Sequence, residues 1–280
     1  MAVYTTINDP GSFFNTVLWT GTGSANAITG VGFTPDNVWI KCRSFAENHC
    51  LGDTVRGVNK QLRSDTTEAQ STGTTDLTAF GADGFTLGTG GKVNGSTKTY
   101  AAWNWIAGTT TGIAGSPSIT PSSYSFNATS KFSLIAYTGD GSSGATLPHG
   151  LGVAPNMIIT KDLDATEEWA VYTSTTGATK FLNLDSANAA VIDSSKWNDT
   201  EPDATVFSLG NDGQVNRNTE DYIAYCFANV AGYSRYGYYI GNGNANGPFI
   251  YTGFRPAFIM CKDTEDAERW TIMDSVRTPG

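Results

Sequence analysis

The residues with the most obvious capacity for chemistry are two acidic runs, Asp162-Leu-Asp-Ala-Thr-Glu-Glu168 and Asp263-Thr-Glu-Asp-Ala-Glu268. Paired carboxylates are what a glycosidase needs, one holding a proton as the acid and one acting as nucleophile or base. Both runs fall between strand-like segments, which suits solvated hairpin tips, and no catalytic residue is assigned. Gly139-Asp-Gly-Ser-Ser-Gly144 fits the spacing of a dinucleotide-binding turn, but Pro148 and further glycines follow where a helix would have to open. Gly90-Gly-Lys92 is a partial phosphate loop in which Val93 replaces the magnesium-binding hydroxyl. His49 and His149 share no metal-ligand spacing and read as hydrogen-bonded loop histidines. Cys42, Cys50, Cys226 and Cys261 form neither a C-x-x-C pair nor a zinc spacing and read as free structural thiols, Cys226 and Cys261 as small buried hydrophobes in alternating apolar runs. No metal and no cofactor is expected.

A second group could bind rather than react. Trp19, Tyr137 and Tyr239 each open an aromatic-x-Gly-x-Gly turn, with Asp140 and Asn242 beside them in the second and third. An aromatic face stacks on the apolar face of a sugar while a neighbouring Asp or Asn takes its hydroxyls. Trp19, Tyr137, Asp140, Tyr239 and Asn242 are therefore the candidate carbohydrate site. Recurrence at one position is equally what a core residue shows.

These turns belong to a repeat. Each is followed by a proline (Pro35, Pro155, Pro256) and an apolar run closed by a lysine six residues later (Lys41, Lys161, Lys262). Fourteen residues after the proline stand His49, Trp169 and Trp270, and eighteen after it Asp53, Thr173 and Asp274. Asp53/Arg56 and Asp274/Arg277 read as charge pairs that order a surface turn. A second half-unit, GFTLG…VNGSTKTYAAWNW ending at Trp105, recurs as VFSLG…VNRNTEDYIAYCF ending at Phe227. The third occurrence has no such half. The reading is an N-terminal arm (1–12), unit one (13–107), a Gly/Ser/Pro-rich linker (108–130), unit two (131–232) and partial unit three (233–280).

Most segments alternate with period two and are rich in β-branched and aromatic residues, bounded by Gly, Asn, Asp and Pro. The expected fold is all-β, built of tandem antiparallel sandwich-like repeats, two complete and one partial, with helical turns only within 64–70 and 187–195. Constant spacing over an alternating run fixes register. Pro35 should thus superpose on Pro155, Lys41 on Lys161, and Trp105 on Phe227. With 17 basic against 26 acidic residues and no basic cluster, nucleic acid is not expected as a partner. No apolar run approaches the length of a membrane span, and the first residues lack the pattern of a secretory signal.

The segments SFFNTVLWTGTGSANAITGVGFTPDNVWIKCR, DTVRGVNKQLRSD, TYAAWNW, HGLGVAP and YTGFRPA resemble a repeat of predicted tail-fibre and other structural proteins of marine and cyanobacterial tailed phages. The resemblance runs over nearly the whole chain from Ser12. It implies a virion setting, a non-enzymatic role in assembly and host-surface contact, and partners among other virion proteins. Alternatives are a host-glycan recognition module, a head-decoration protein and a polysaccharide depolymerase. The missing half of unit three leaves Phe258, Met260 and Trp270 as expected contacts between copies, in a homotrimer or with another virion protein.

Overall fold

The computed structural model describes residues 5–277 of the chain. Its strands form antiparallel sheets, and helix among the described residues is limited to a 3-10 turn at Pro10–Ser12 and two single α-turns. After the 3-10 turn come β1 (Phe14–Thr20), β2 (Asn26–Thr29), β3 (Asn37–Cys42), β4 (Cys50–Asp53), β5 (Lys60–Gln61), β6 (Ser71–Thr72), β7 (Leu77–Gly81), β8 (Gly84–Leu87), α1 (Gly91–Asn94) and β9 (Thr99–Trp105). β10 (Ser123–Asn127), β11 (Phe132–Thr138), β12 (Ala145–Pro148), β13 (Met157–Asp162) and β14 (Ala170–Thr173) follow. Next come β15 (Lys180–Asn183), β16 (Val191–Ile192), α2 (Ser194–Trp197), β17 (Val206–Leu209) and β18 (Asp221–Phe227), and last β19 (Phe258–Cys261) and β20 (Thr271–Asp274).

The two large sheets share one order and one register. β1-β9-β3-β4 corresponds to β11-β18-β13-β14 within the longer sheet β10-β11-β18-β13-β14-β15-β16. Asn37 lies opposite Trp105, and Met157, at the same distance from its proline, lies opposite Phe227. The strand that recurs last in the sequence is thus inserted at the centre of each sheet, between β1 and β3 or between β11 and β13.

Alternation places successive side chains on opposite faces, and here both faces are buried. From β3, Val38, Ile40 and Cys42 pack with Ile28, Phe85 and Leu87 of the small sheet β2-β8-β7. Trp39 points the other way, toward Trp103 and Trp105. In unit two, Ile158, Tyr222 and Ala224 pack with Leu147, Phe207 and Leu209 of the pair β12-β17, while Ile159, Trp169 and Tyr225 face the other way. The two outward faces meet in one common core, which also takes Phe258, Met260, Trp270 and Ile272 of the hairpin β19-β20.

Two local expectations are corrected. Residues 64–70 form no helix, and within 187–195 only Ser194 and Ser195 enter α2. Asp193 caps α2 by accepting from Ser195 N. The other helical turn, α1, lies at Gly91–Asn94, where glycines gave no helical signal. Within the linker 108–130, Ser123–Asn127 extends the second large sheet as β10.

Candidate functional site

Two of the three aromatic turns are packed into their units. Tyr137 is fully buried, stacks on Tyr222 with centroids 5.2 Å apart, and donates its hydroxyl to Val215 O at 2.6 Å. Trp19 is half-buried, stacks on Tyr100 at 5.4 Å, and donates Nε1–H to Val93 O at 3.1 Å. Tyr137 thus presents no face to a sugar, and one face of Trp19 is taken by Tyr100. Asp140 is exposed but its Oδ1 accepts from Ser142 N and Asn216 Nδ2. Tyr239 is 52% exposed, and Asn242 near it closes its own turn through Asn244 N and Asn246 O. The five candidate sugar-contact residues lie at three separate turns of the sequence.

The residue that holds each turn was not singled out from the sequence. Asn216, fully buried, donates to Ser142 O and Gly210 O and accepts from Asp140 N. Asn94 does the same with Ser24 O, Gly88 O and Thr22 N. Both are the Asn of the recurrent Val-Asn pair, and that recurrence was the available signal. Gly139 and Gly21 sit against Arg217 O and Gly95 O, where a Cβ would overlap the carbonyl.

The charge pairs read as surface turns are buried joints between units. Asp53 and Arg56 are shielded from solvent, and Arg56 Nε binds Asp53 Oδ2 at 2.7 Å. Tyr225 of unit two donates its hydroxyl to the same Oδ2 at 3.1 Å. Asp274 Oδ2 accepts from Arg277 Nε and, at 3.0 Å, from the Trp103 indole of unit one. Arg277 also lies 4.8 Å over the Trp103 ring. Burial pushes the Asp274 carboxyl up, but the bonds from Arg277 and Trp103 outweigh it and hold it below the usual carboxylate range.

A second joint is repeated contact for contact. Trp169 donates Nε1–H to Arg63 O at 3.0 Å, and Trp270 donates to Asn183 O at 2.8 Å. Lys161 Nζ reaches Thr67 O as Lys262 Nζ reaches Ala187 O. Gln70 N donates to Leu163 O as Ala190 N donates to Thr264 O. Each donor and acceptor stands at the same offset from its own unit's proline. Unit two therefore sits on unit one as unit three sits on unit two.

The acidic runs close loops. Asp162 Oδ1 accepts from Asp164 N and Ala165 N, and Asp263 Oδ1 from Glu265 N and Asp266 N. Glu167 pairs with Arg217, and Glu168 accepts from Gln214 Nε2. Lys161 is buried with its ammonium on the carbonyls of Thr67, Asp162 and Ala165, and burial pulls it down to about 8. Burial raises Asp185, which accepts from Trp169 N, to about 6. His149, also buried, falls to about 4 for the same reason. Gly139–Gly144 leads into strand β12 rather than a helix. The four cysteines are free thiols, three of them buried, and burial raises Cys50 and Cys226 to about 12. Among the described residues, no three His, Cys, Asp or Glu side chains gather as a metal site.

The residues expected as contacts between copies lie partly within their own chain. Phe258, Met260 and Trp270 are half-buried and face the common core of their own chain. The Phe258 ring lies 5.6–5.7 Å from Phe14, Trp103 and Trp105. What unit three exposes instead is Tyr238, Tyr239, Ile240, Phe249 and Tyr251.

No helix of the described residues is long and apolar enough to cross a membrane. No curated protein and no solved structure matches the chain. The family model described as "Domain of unknown function (DUF7483)" matches residues 9–280, and the chain belongs to that family.

Proposed function

We propose that the chain is a structural subunit of a tailed-phage particle, a tail-fibre or appendage component that works by assembly and host-surface contact. The resemblance of its repeat supports the virion setting. The observation that carries the structural role is the inter-unit joint. Aromatic and charged groups with the capacity to build a site are instead hydrogen-bonded in pairs across units, Trp103 to Asp274 and Tyr225 to Asp53, which suits a body built for display. Partners on this reading are other virion proteins and further copies of the chain.

The test is location. Mass spectrometry of gradient-purified particles should find the chain, and antibody labelling seen by electron microscopy should fall on the tail. Labelling on the head would replace the tail-fibre reading by head decoration. Absence from particles would overturn the virion setting.

A further inference from the structure

Position for position, unit three is uncovered where the other two units are sealed. Three residues after the prolines stand Val38, Ile158 and Ile259, which are 0%, 0% and 39% exposed. The first two lie under β8 and β17 with their sheets. Tyr100 covers Trp19 and Tyr222 covers Tyr137, but Tyr239 has no stacked partner of this kind among the described residues. Phe249 and Ile240 beside it are more than four-fifths exposed. One edge of β19 pairs with β20, and among the described residues no strand pairs with the other. In the other units that edge is where β9 or β18 sits.

We infer that this face binds an extended two-strand segment of the same chemistry as Val206–Phe227, in the place that β17-β18 take in unit two. Main-chain pairing along β19 would give affinity, and alternate side chains would give specificity. The register follows from the other sheets. The last aromatic of the incoming strand falls opposite Phe258, as Trp105 falls opposite Asn37 and Phe227 opposite Met157. A tyrosine five residues earlier, the place of Tyr100 and Tyr222, stacks on Tyr239. The preceding strand presents apolar residues, as Phe207 and Leu209 do, to Ile259 and Phe249. The inference rests on this geometry and is independent of the virion reading.

The experiment titrates a fluorescently labelled peptide of sequence Val206–Phe227 with the full chain and follows anisotropy. The same peptide with the counterparts of Tyr222 and Phe227 changed to Ser is the control. Saturable one-to-one binding is expected, at least tenfold weaker for the control and for the Ile259→Asp chain, with slowed hydrogen exchange of the β19 amides. Ile259 is already part-exposed, so that variant should fold, and its far-ultraviolet circular dichroism checks this. Binding that is absent, or indifferent to Ile259→Asp, overturns the inference. Sedimentation showing that the chain alone self-associates, and that Ile259→Asp abolishes it, also overturns it, since the occupant is then a second copy.

Discussion

The indole Nε1 of Trp103 donates to Oδ2 of Asp274 at 3.0 Å, across 171 residues of sequence. Tyr225 stands at the same place in β18 and donates to Asp53 across 172. In each case the central strand of one large sheet places a polar aromatic tip on an Asp–Arg pair of another unit. A buried carboxylate needs such partners, because an uncompensated charge in the interior is strongly destabilising.

Trp103→Phe keeps a ring and removes the donor, so it should cost about 1.5–3 kcal/mol in urea denaturation, the range for a hydrogen bond to a charged group. Tyr225→Phe should behave in the same way at Asp53. Combining Trp103→Phe with Asp274→Asn should give less than the sum of the two losses. Strict additivity would show that the contact contributes nothing to stability.

His149 supplies a pH dependence with a definite sign. Its Nδ1 accepts from Leu151 N, and Nε2 faces Asp203 O at 3.2 Å, so the neutral ring satisfies both neighbours. The folded state holds the ring near 4 against an ordinary 6.5, so folding releases a proton within that window. Stability from this group is complete above 6.5 and falls as pH drops toward 4, by up to about 3 kcal/mol. Asp185, raised to about 6, works in the opposite sense, losing its contribution as pH rises through the same window. The difference between the native chain and His149→Gln isolates the histidine, since Asp185 is common to both. That difference should shrink between pH 7 and pH 4, and a constant difference would refute the assignment.

Asn216→Ala would leave Asp140 N, Ser142 O and Gly210 O without their shared partner, at a cost of about 1–3 kcal/mol. Gly139→Ala forces a Cβ onto the Arg217 carbonyl, and overpacking of this kind costs about 1–3 kcal/mol. Thermal melts of the two variants and their double should show coupling, because both act on one turn.

Tyr137→Ala and Tyr239→Ala separate core from surface at matched positions of the repeat. The first empties a fully buried site and should cost about 3–5 kcal/mol, the range for large aromatic truncations. The second, at a half-exposed ring, should stay within about 0.5 kcal/mol. Equal losses would mean that Tyr239 is packed in solution.

The all-β class and the register of the large sheets were legible because alternation and constant spacing are local properties of the sequence. Six residues from Pro35 to Lys41 and from Pro155 to Lys161 leave little freedom in how a strand meets its neighbour. Partnership between units was not legible. Asp53 and Arg56 look like any short-range surface pair until Tyr225 arrives from a strand far away in sequence. The short helices were misplaced for a related reason, since α1 follows from the need to aim Asn94 at a turn rather than from propensity. The burial of Tyr137 alongside the exposure of Tyr239 could not be read from their common motif, because the covering strand lies outside it.

The order of the joints also constrains how such a chain can vary in length. Tyr225 takes unit two to unit one, and Trp103 takes unit one to unit three. A solenoid can gain a module in its middle without disturbing modules further along. Here the first segment also follows the last, so the contacts run in a circuit, and a circuit has a fixed number of places. One more copy of residues 131–232 inserted before unit three would carry Asp274 away from Trp103. Growth is thus confined to loops and to whatever is added outside the circuit, and a natural insertion within it would have to bring a substitute for that contact.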